Sequence, residues 1–302
     1  MSTAVPLNQR RAILLGLSAV ACWATVATAF KLALAELSPR QVVLLASMVS
    51  VLVFALVISW QRRWGEALQL IKQRRLHYTL LGTLNPAIYY LVLFMAYAQL
   101  PAQQAQAINY SWAMAYSLLA IPVLGQRLNR RDLIALSLAY AGVVVIATGG
   151  EWSFSQTNWV GVGLALLSTL LWAGYWLLNT KNSDPPTLAL FWCFSCGTAV
   201  LLLAEVLWPQ VWPAWSTALV SYPAALYVGV FEMGVTFLLW LHALRVAEKA
   251  AQISALIFLS PIASLALIWW ILGEPISLTT YLGLGAILCG LYLQRGSATA
   301  AD

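Results

Sequence analysis

Long apolar runs separated by short polar segments recur along the whole chain. They fall near residues 12–31, 40–60, 78–98, 102–123, 132–149, 159–180, 187–208, 220–244, 250–272 and 278–294. A bilayer hydrocarbon core of about 30 Å requires roughly 20 apolar residues per helix. Backbone inside lipid must satisfy its own hydrogen bonds, so runs of this length read as helices. Strands of a membrane barrel would alternate with period two over about ten residues, and these runs do not. The pattern predicts an all-α membrane protein of ten transmembrane helices. The first run follows Arg10 and Arg11 and contains Ala27-Thr28-Ala29, a shape shared with cleaved signal peptides; internal symmetry favours a retained helix. Gln99-Leu100-Pro101 is read as a tight turn between spans three and four, because proline suits the start of a helix.

Composition supports the pattern. Of 302 residues, 62% are hydrophobic and 9% charged, against roughly 25% charged in soluble domains. So few charges cannot cover a water-soluble globule, which excludes soluble enzymes, nucleic-acid binders and disordered chains. The net charge of +6 matters through its placement. With the N-terminus inside, Arg10, Arg11, Arg62, Arg63, Lys72, Arg74, Arg75, Arg127, Arg130, Arg131, Lys181, Arg245, Lys249 and Arg295 lie in inside segments, 14 of the 16 basic residues. Only Lys31 and Arg40 lie outside. The positive-inside rule then puts both termini in the cytoplasm, with the chain in a bacterial-type inner membrane. Cys193 and Cys196 form a C-x-x-C within an apolar run; with no further Cys or His nearby, they read as small packing residues rather than a metal or redox site.

The two parts of the chain repeat. A shift of 148 aligns Gly125-Gln126 with Gly273-Glu274, and places Ala135, Ser137 and Gly142 opposite Gly283, Gly285 and Gly290. Small residues in matching places predict that spans five and ten pack closely on a neighbouring helix, each being the candidate partner of the other. A shift of 149 pairs Trp23 with Trp172. Five spans per repeat is an odd number, so residues 159–294 should be inverted in the bilayer relative to residues 12–149. Inverted repeats are a signature of secondary transporters, with substrate bound near mid-membrane.

The segments LGEPISLTTYLGLGAILCGLYL and LGQRLNRRDLIALSLAYAGVVVIATGG, within ten spans in two sets of five, resemble the EamA family of the drug/metabolite transporter superfamily. AINYSWAMAYSLLAIP and LLWAGYWLLNTK are similar to the YddG-type exporters of aromatic amino acids, although Ala113 and Met114 stand where that subgroup tends to have proline. The resemblance implies movement of a small molecule by alternating access, through a central cavity bordered by helices one, three, four, six, eight and nine.

Polar side chains in lipid seek the bundle interior. In span three, Asn85 and Tyr89 share a helical face beside Pro86; in span four, Gln106, Asn109, Tyr110 and Trp112 cluster; in span six, Ser168, Trp172, Tyr175 and Asn179 form a stripe. Span one adds Thr25 and Thr28 near Trp23, and span nine adds Ser260 before Pro261. Trp152, Trp159, Trp208, Trp212 and Trp215 fit an outer interfacial belt. Glu232 stands in mid-span eight, where an ionised carboxylate costs about 2.5–3.5 kcal/mol on insertion scales. It must be protonated, paired or hydrated there, and is the candidate for proton coupling or for holding a substrate amine. The alternative is a structural hydrogen bond to a neighbouring helix. His242 and Arg245 read as a solvated rim, and Lys31 as a side chain snorkelling to the interface.

These features predict a secondary transporter for an amino acid or related amphipathic zwitterion, and the resemblance to exporters implies the exporting direction. The substrate-binding candidates are Asn85, Tyr89, Asn109, Tyr110, Trp112, Trp172, Tyr175 and Glu232. No cofactor, metal or nucleic-acid partner is expected, and no Walker motif is present. Rival readings are a transporter of another metabolite or drug, and a membrane-embedded lipid or isoprenoid transferase; such transferases need clustered acidic or histidine side chains.

Overall fold

The computed structural model describes residues 7–124, 129–149, 157–179, 182–248, 252–253 and 256–298. The described residues are helical, with no strand among them. Seven helical stretches among them are long and apolar enough to cross a membrane, and Leu259–Leu272 and Leu278–Leu293 are shorter apolar helices. In chain order the α-helices are α1 (Gln9–Ala33), α2 (Pro39–Trp60), α3 (Trp64–Gly82), α4 (Tyr89–Gln99), α5 (Ala102–Asn109), α6 (Trp112–Leu124) and α7 (Arg130–Thr148). They continue as α8 (Trp159–Asn179), α9 (Pro186–Leu207), α10 (Ser221–Tyr227), α11 (Thr236–Val246), α12 (Leu259–Leu267) and α13 (Leu278–Ala298). The links at Gly125-Gln126 and Arg127, the loop at Trp152, Lys181, Lys249, and the terminal Asp302 lie outside the described residues.

The chain divides into two compact units: Met1–Ala87 with Asp184–Leu272, and Ile88–Ser183 with Gly273–Asp302. Each unit therefore draws residues from both 12–149 and 159–294.

Local sequence sets the helix ends. Ser38 caps α2 in a reciprocal box with Gln41, and Asn129 caps α7 with Asp132. Leu100 is extended and Pro101 non-helical, which makes the expected turn between α4 and α5. Gly149 (φ 63°) ends α7, and Gly273 (φ 67°) lies in the same left-handed region, which is open to glycine without a side-chain clash. Span three departs from its predicted start at residue 78. Helix begins at Trp64, with a kink at Arg74 (φ −130°, ψ 33°).

Among the described residues, four helical runs are interrupted. A π-helical segment, Thr83–Ile88, separates α3 from α4; Asn85 within it is extended (φ −142°, ψ 117°), because a following proline disfavours helical backbone. A second π segment, Val228–Val235, joins α10 to α11. Turns at 110–111 and 257–258 precede α6 and α12.

In the first unit, α3 and α9 approach at glycine. A Cβ on Gly82 would stand 2.2 Å from the Cys193 carbonyl oxygen, and one on Gly197 would stand 2.6 Å from Pro86 Cδ. Cys193 is buried at this crossing. Gly229, in the second π segment, lies as close to the Ala46 carbonyl of α2; the Ser50 hydroxyl reaches the Gly229 carbonyl at 2.8 Å. At one end of the unit Arg40 pairs with Glu205 (3.1 Å), and Trp212 Nε1 donates to Glu205. Elsewhere Arg74 and Tyr78 both bind Asp184. The helix α1 packs against α10, α11 and α12 as an integral element of the unit.

In the second unit, α7 and α13 pack on each other through the predicted small residues. A Cβ on Gly142 would lie 2.4 Å from the Gly283 carbonyl oxygen, and one on Gly290 2.6 Å from the Ala135 carbonyl. Gly285 meets nothing within 4 Å and Ser137 is exposed, so these two face away. Gly142→Leu is expected to destabilise the protein by about 1–3 kcal/mol through overpacking, seen as a lowered Tm in detergent. Gly285→Leu should leave Tm nearly unchanged. Equal effects would refute this packing. The Glu274 carboxylate accepts the Ala102 N–H at the start of α5 (3.0 Å), and Gln103 bonds Pro275, Ser277 and Thr280. Leu and Ile side chains such as Ile134, Leu178 and Leu282 remain more than half exposed, as a lipid-facing surface requires.

Candidate functional site

Six of the eight predicted site residues, Tyr89, Asn109, Tyr110, Trp112, Trp172 and Tyr175, belong to the second unit; Asn85 and Glu232 belong to the first.

In the second unit the organising side chain is Trp172. The helix α8 runs unbroken, so positions 168, 172, 175 and 179 share one stripe. Trp172 stacks on Tyr89 (centroids 4.6 Å, planes 26° apart) and on Tyr175 (5.8 Å, 24°). Trp112 meets it edge-on at 6.4 Å and Trp176 at 5.8 Å. Tyr90 in turn contacts Tyr89 edge-on. These offset and edge-to-face geometries are the favourable ones for ring quadrupoles. Trp172 and Trp112 are half-buried, whereas Tyr89 and Tyr175 are buried. Beside the rings, the Asn109 amide donates to Ser168 Oγ (3.1 Å), and the Ser168 hydroxyl donates to the Ala165 carbonyl (2.6 Å). Asn179 Nδ2 binds the Tyr175 carbonyl (3.1 Å), closing the end of the stripe.

Tyr110 ends α5 and is half-buried; its backbone N–H binds the Gln106 carbonyl. The break after it means that uniform helical spacing no longer relates Asn109 to Trp112. Tyr90 and Trp176 join the cluster although neither was a predicted site residue. Trp176 was legible, lying four residues beyond Trp172; Tyr90 was not, because the irregular backbone before α4 hides which face it takes.

In the first unit, Asn85 is 1% exposed, and among the described residues its Oδ1 lacks a hydrogen-bond partner. The extended backbone at Asn85 breaks the i,i+4 relation to Tyr89 on which a shared face rested. Glu232 is half-buried within the second π segment, with one carboxylate oxygen sealed from solvent. Helices α1 and α2 pack against that segment. Close by in sequence, the Tyr227 hydroxyl bonds Thr25 Oγ1 at 2.7 Å, and Tyr227 lies against Phe231. Tyr227 was not foreseen, since five-residue spacing from Glu232 is no helical neighbour in regular α geometry. Trp23 packs edge-on against Trp240 (5.2 Å) and Phe237 (6.4 Å), which accounts for it as a packing residue between α1 and α11. Trp208, Trp215 and Trp159 are about half exposed or more, as belt residues would be. Among the described residues no three His, Cys, Asp or Glu side chains converge to hold a metal.

The family description "EamA-like transporter family" matches residues 10–148 and again 159–295. An uncharacterized transporter of Archaeoglobus fulgidus is 25% identical over 91% of this chain and 95% of its own length. The aromatic amino acid exporter YddG of Ancylobacter novellus is 24% identical over 50% of this chain and 53% of its own. A protein solved by crystallography matches the fold with a TM-score of 0.67, covering 98% of this chain and all of that one at 19% identity.

Proposed function

The chain belongs to the EamA-like transporter family, and on that premise we propose that it exports an amino acid or related amphipathic zwitterion across the inner membrane by alternating access. It is a multi-pass membrane protein of a transporter family, and a small-molecule substrate follows from that membership. The observation that carries the finer reading is the Trp172 cluster with the Asn109–Ser168 pair beside it. Half-buried rings offer an apolar and polarisable surface for a hydrophobic side chain, and the amide and hydroxyl offer hydrogen bonds at its edge. The relative named as an aromatic amino acid exporter supports the same substrate class and the outward direction. Purified protein in liposomes preloaded with labelled L-phenylalanine tests this. Protein-dependent efflux supports the reading, and its absence across a panel of amino acids overturns it.

For architecture we propose ten transmembrane helices in two inverted repeats, 12–149 and 159–294. The family match in two stretches of similar length supports this. So do the interruptions: shifting the first π segment and the turn at 110–111 by 148 residues lands on 231–236 and 258–259, overlapping the second π segment and the turn before α12. Topology follows from the basic residues. A reporter fused after Asp302 is expected to be active in its cytoplasmic form, and periplasmic activity would refute the orientation or the span count.

A further inference from the structure

We propose that the start of α6, opened by the interruption at Tyr110-Ser111, binds the carboxylate of the substrate, and that Ser111 contributes a hydrogen bond to it. This rests on the proposed export of a zwitterion.

The local geometry is that of a helix beginning inside the membrane. Helical hydrogen bonding tightens before the break: Ser111 N–H binds the Ile108 carbonyl, three residues back. The Ser111 carbonyl then accepts from Met114 (2.9 Å) and Ala115 (3.2 Å), which is what the residue capping a new helix does. Ser111 stands ten residues into a run that starts at Ala102, roughly 14 Å along at helical rise and near mid-depth of a core of about 30 Å. The first amides of a helix lack partners within it and carry the positive end of its dipole, so they attract anions.

Ser111 supplies the independent sign of a ligand. Its side chain is fully buried, and among the described residues its hydroxyl has no hydrogen-bond partner. A capping serine ordinarily turns its oxygen onto the second or third amide of its helix. Here Met114 N–H is taken by the Ser111 carbonyl, and the hydroxyl is left over. A buried hydroxyl without a partner has lost its hydration with nothing in return, a cost that an incoming acceptor relieves.

Charge elsewhere narrows the ligand. Residues 89–99, 102–124 and 159–179, which surround the aromatic cluster, contain no Lys, Arg or His. A carboxylate carried to these rings therefore meets no cationic side chain in those helices. The anion donors these helices offer are uncharged: the amides at the start of α6, the Ser111 hydroxyl, the Asn109 amide and indole N–H groups such as that of Trp176; backbone donors at a break are an arrangement that discontinuous membrane helices use. Asn109 and Trp112, one before and one after the break, already contact Ser168 and Trp172 of the proposed site.

Reconstituted protein should be compared with Ser111→Ala and Ser111→Thr, using three probes: L-phenylalanine, phenethylamine, which lacks the carboxylate, and 3-phenylpropanoate, which lacks the amine. Loss of one hydrogen bond to a charged group predicts a roughly tenfold rise in KM for L-phenylalanine in Ser111→Ala. The KM for phenylpropanoate should rise similarly, that for phenethylamine should not change, and Ser111→Thr should restore the parent values. An equal loss for all three probes would make Ser111 a packing residue, and unchanged KM for L-phenylalanine would place the carboxylate elsewhere; either overturns the inference while export stands. If the parent protein moves none of the three, the proposed function falls and the inference with it.

Discussion

Replacing Trp172 by alanine is expected to lower kcat/KM for L-phenylalanine efflux roughly 30- to 150-fold. The indole contacts Tyr89, Trp112, Tyr175 and Trp176 together, so its removal dismantles the surface as well as one of its faces. Burial of a large side chain is worth about 1.5–3 kcal/mol, with about 0.5–1.5 more for each favourable ring pair. Losing roughly 2–3 kcal/mol of that toward substrate gives the stated factor, at 1.4 kcal/mol per tenfold. Stability must be read alongside, because Trp→Ala in a core costs about 3–5 kcal/mol. Trp172 is only half-buried, so the variant should still insert and give a cooperative melt. Trp172→Phe, which keeps a ring for stacking, should recover most of the flux. If Trp172→Ala folds and transports like the parent, the cluster is a packing feature and substrate binds elsewhere.

The helices were legible from hydrophobic runs because lipid imposes one requirement on every span, a helix of sufficient apolar length. The places where that reading fell short are physical too. Residues 64–77 include Glu66, Lys72, Arg74 and Arg75, so no apolar run marks the extension of α3 to Trp64. A hydropathy window also averages over a single turn, and the breaks at 83–88, 110–111, 228–235 and 257–258 each lie inside an apolar run. Pro86 signalled the first. Pro261 stands three residues into α12, at the place matching Ala113, so the break in span nine had a proline near it and the break in span four had none. There the cue was weaker: Asn109 and Ser111 have side chains that compete for backbone hydrogen bonds and favour helix ends.

The same breaks separate the side-chain groupings of the candidate site that the sequence anticipated from those it did not. On unbroken α8, periodicity correctly grouped Ser168, Trp172, Tyr175 and Asn179, and the structure adds Trp176 to them. On interrupted helices it failed. Asn85 and Tyr89 are four apart yet belong to different compact units, and Tyr227, which bonds Thr25, was invisible. The small-residue pattern of spans five and ten fared better, since Gly142, Gly283 and Gly290 lie on regular helices where spacing and facing coincide.

Glu232→Gln is expected to abolish uphill transport driven by a proton gradient while preserving exchange of labelled for unlabelled L-phenylalanine. The carboxylate sits in a π-helical segment, a geometry concentrated at functional sites because it displaces side chains from regular helical positions. One of its oxygens is sealed from solvent. A carboxyl group so placed can exist protonated on one side of the transport cycle and deprotonated on the other, and that difference is what couples a proton to substrate movement. Glutamine keeps the shape and hydrogen-bonding reach but carries no exchangeable charge. In liposomes with an imposed pH difference, the parent should accumulate substrate against its gradient, and the variant should only equilibrate it. Loss of exchange together with uphill transport, through a raised KM, would instead make Glu232 a partner of the substrate ammonium. Parental behaviour in both assays across pH would make it a structural hydrogen-bonding group, held by the packing of α1 and α2 against the π segment.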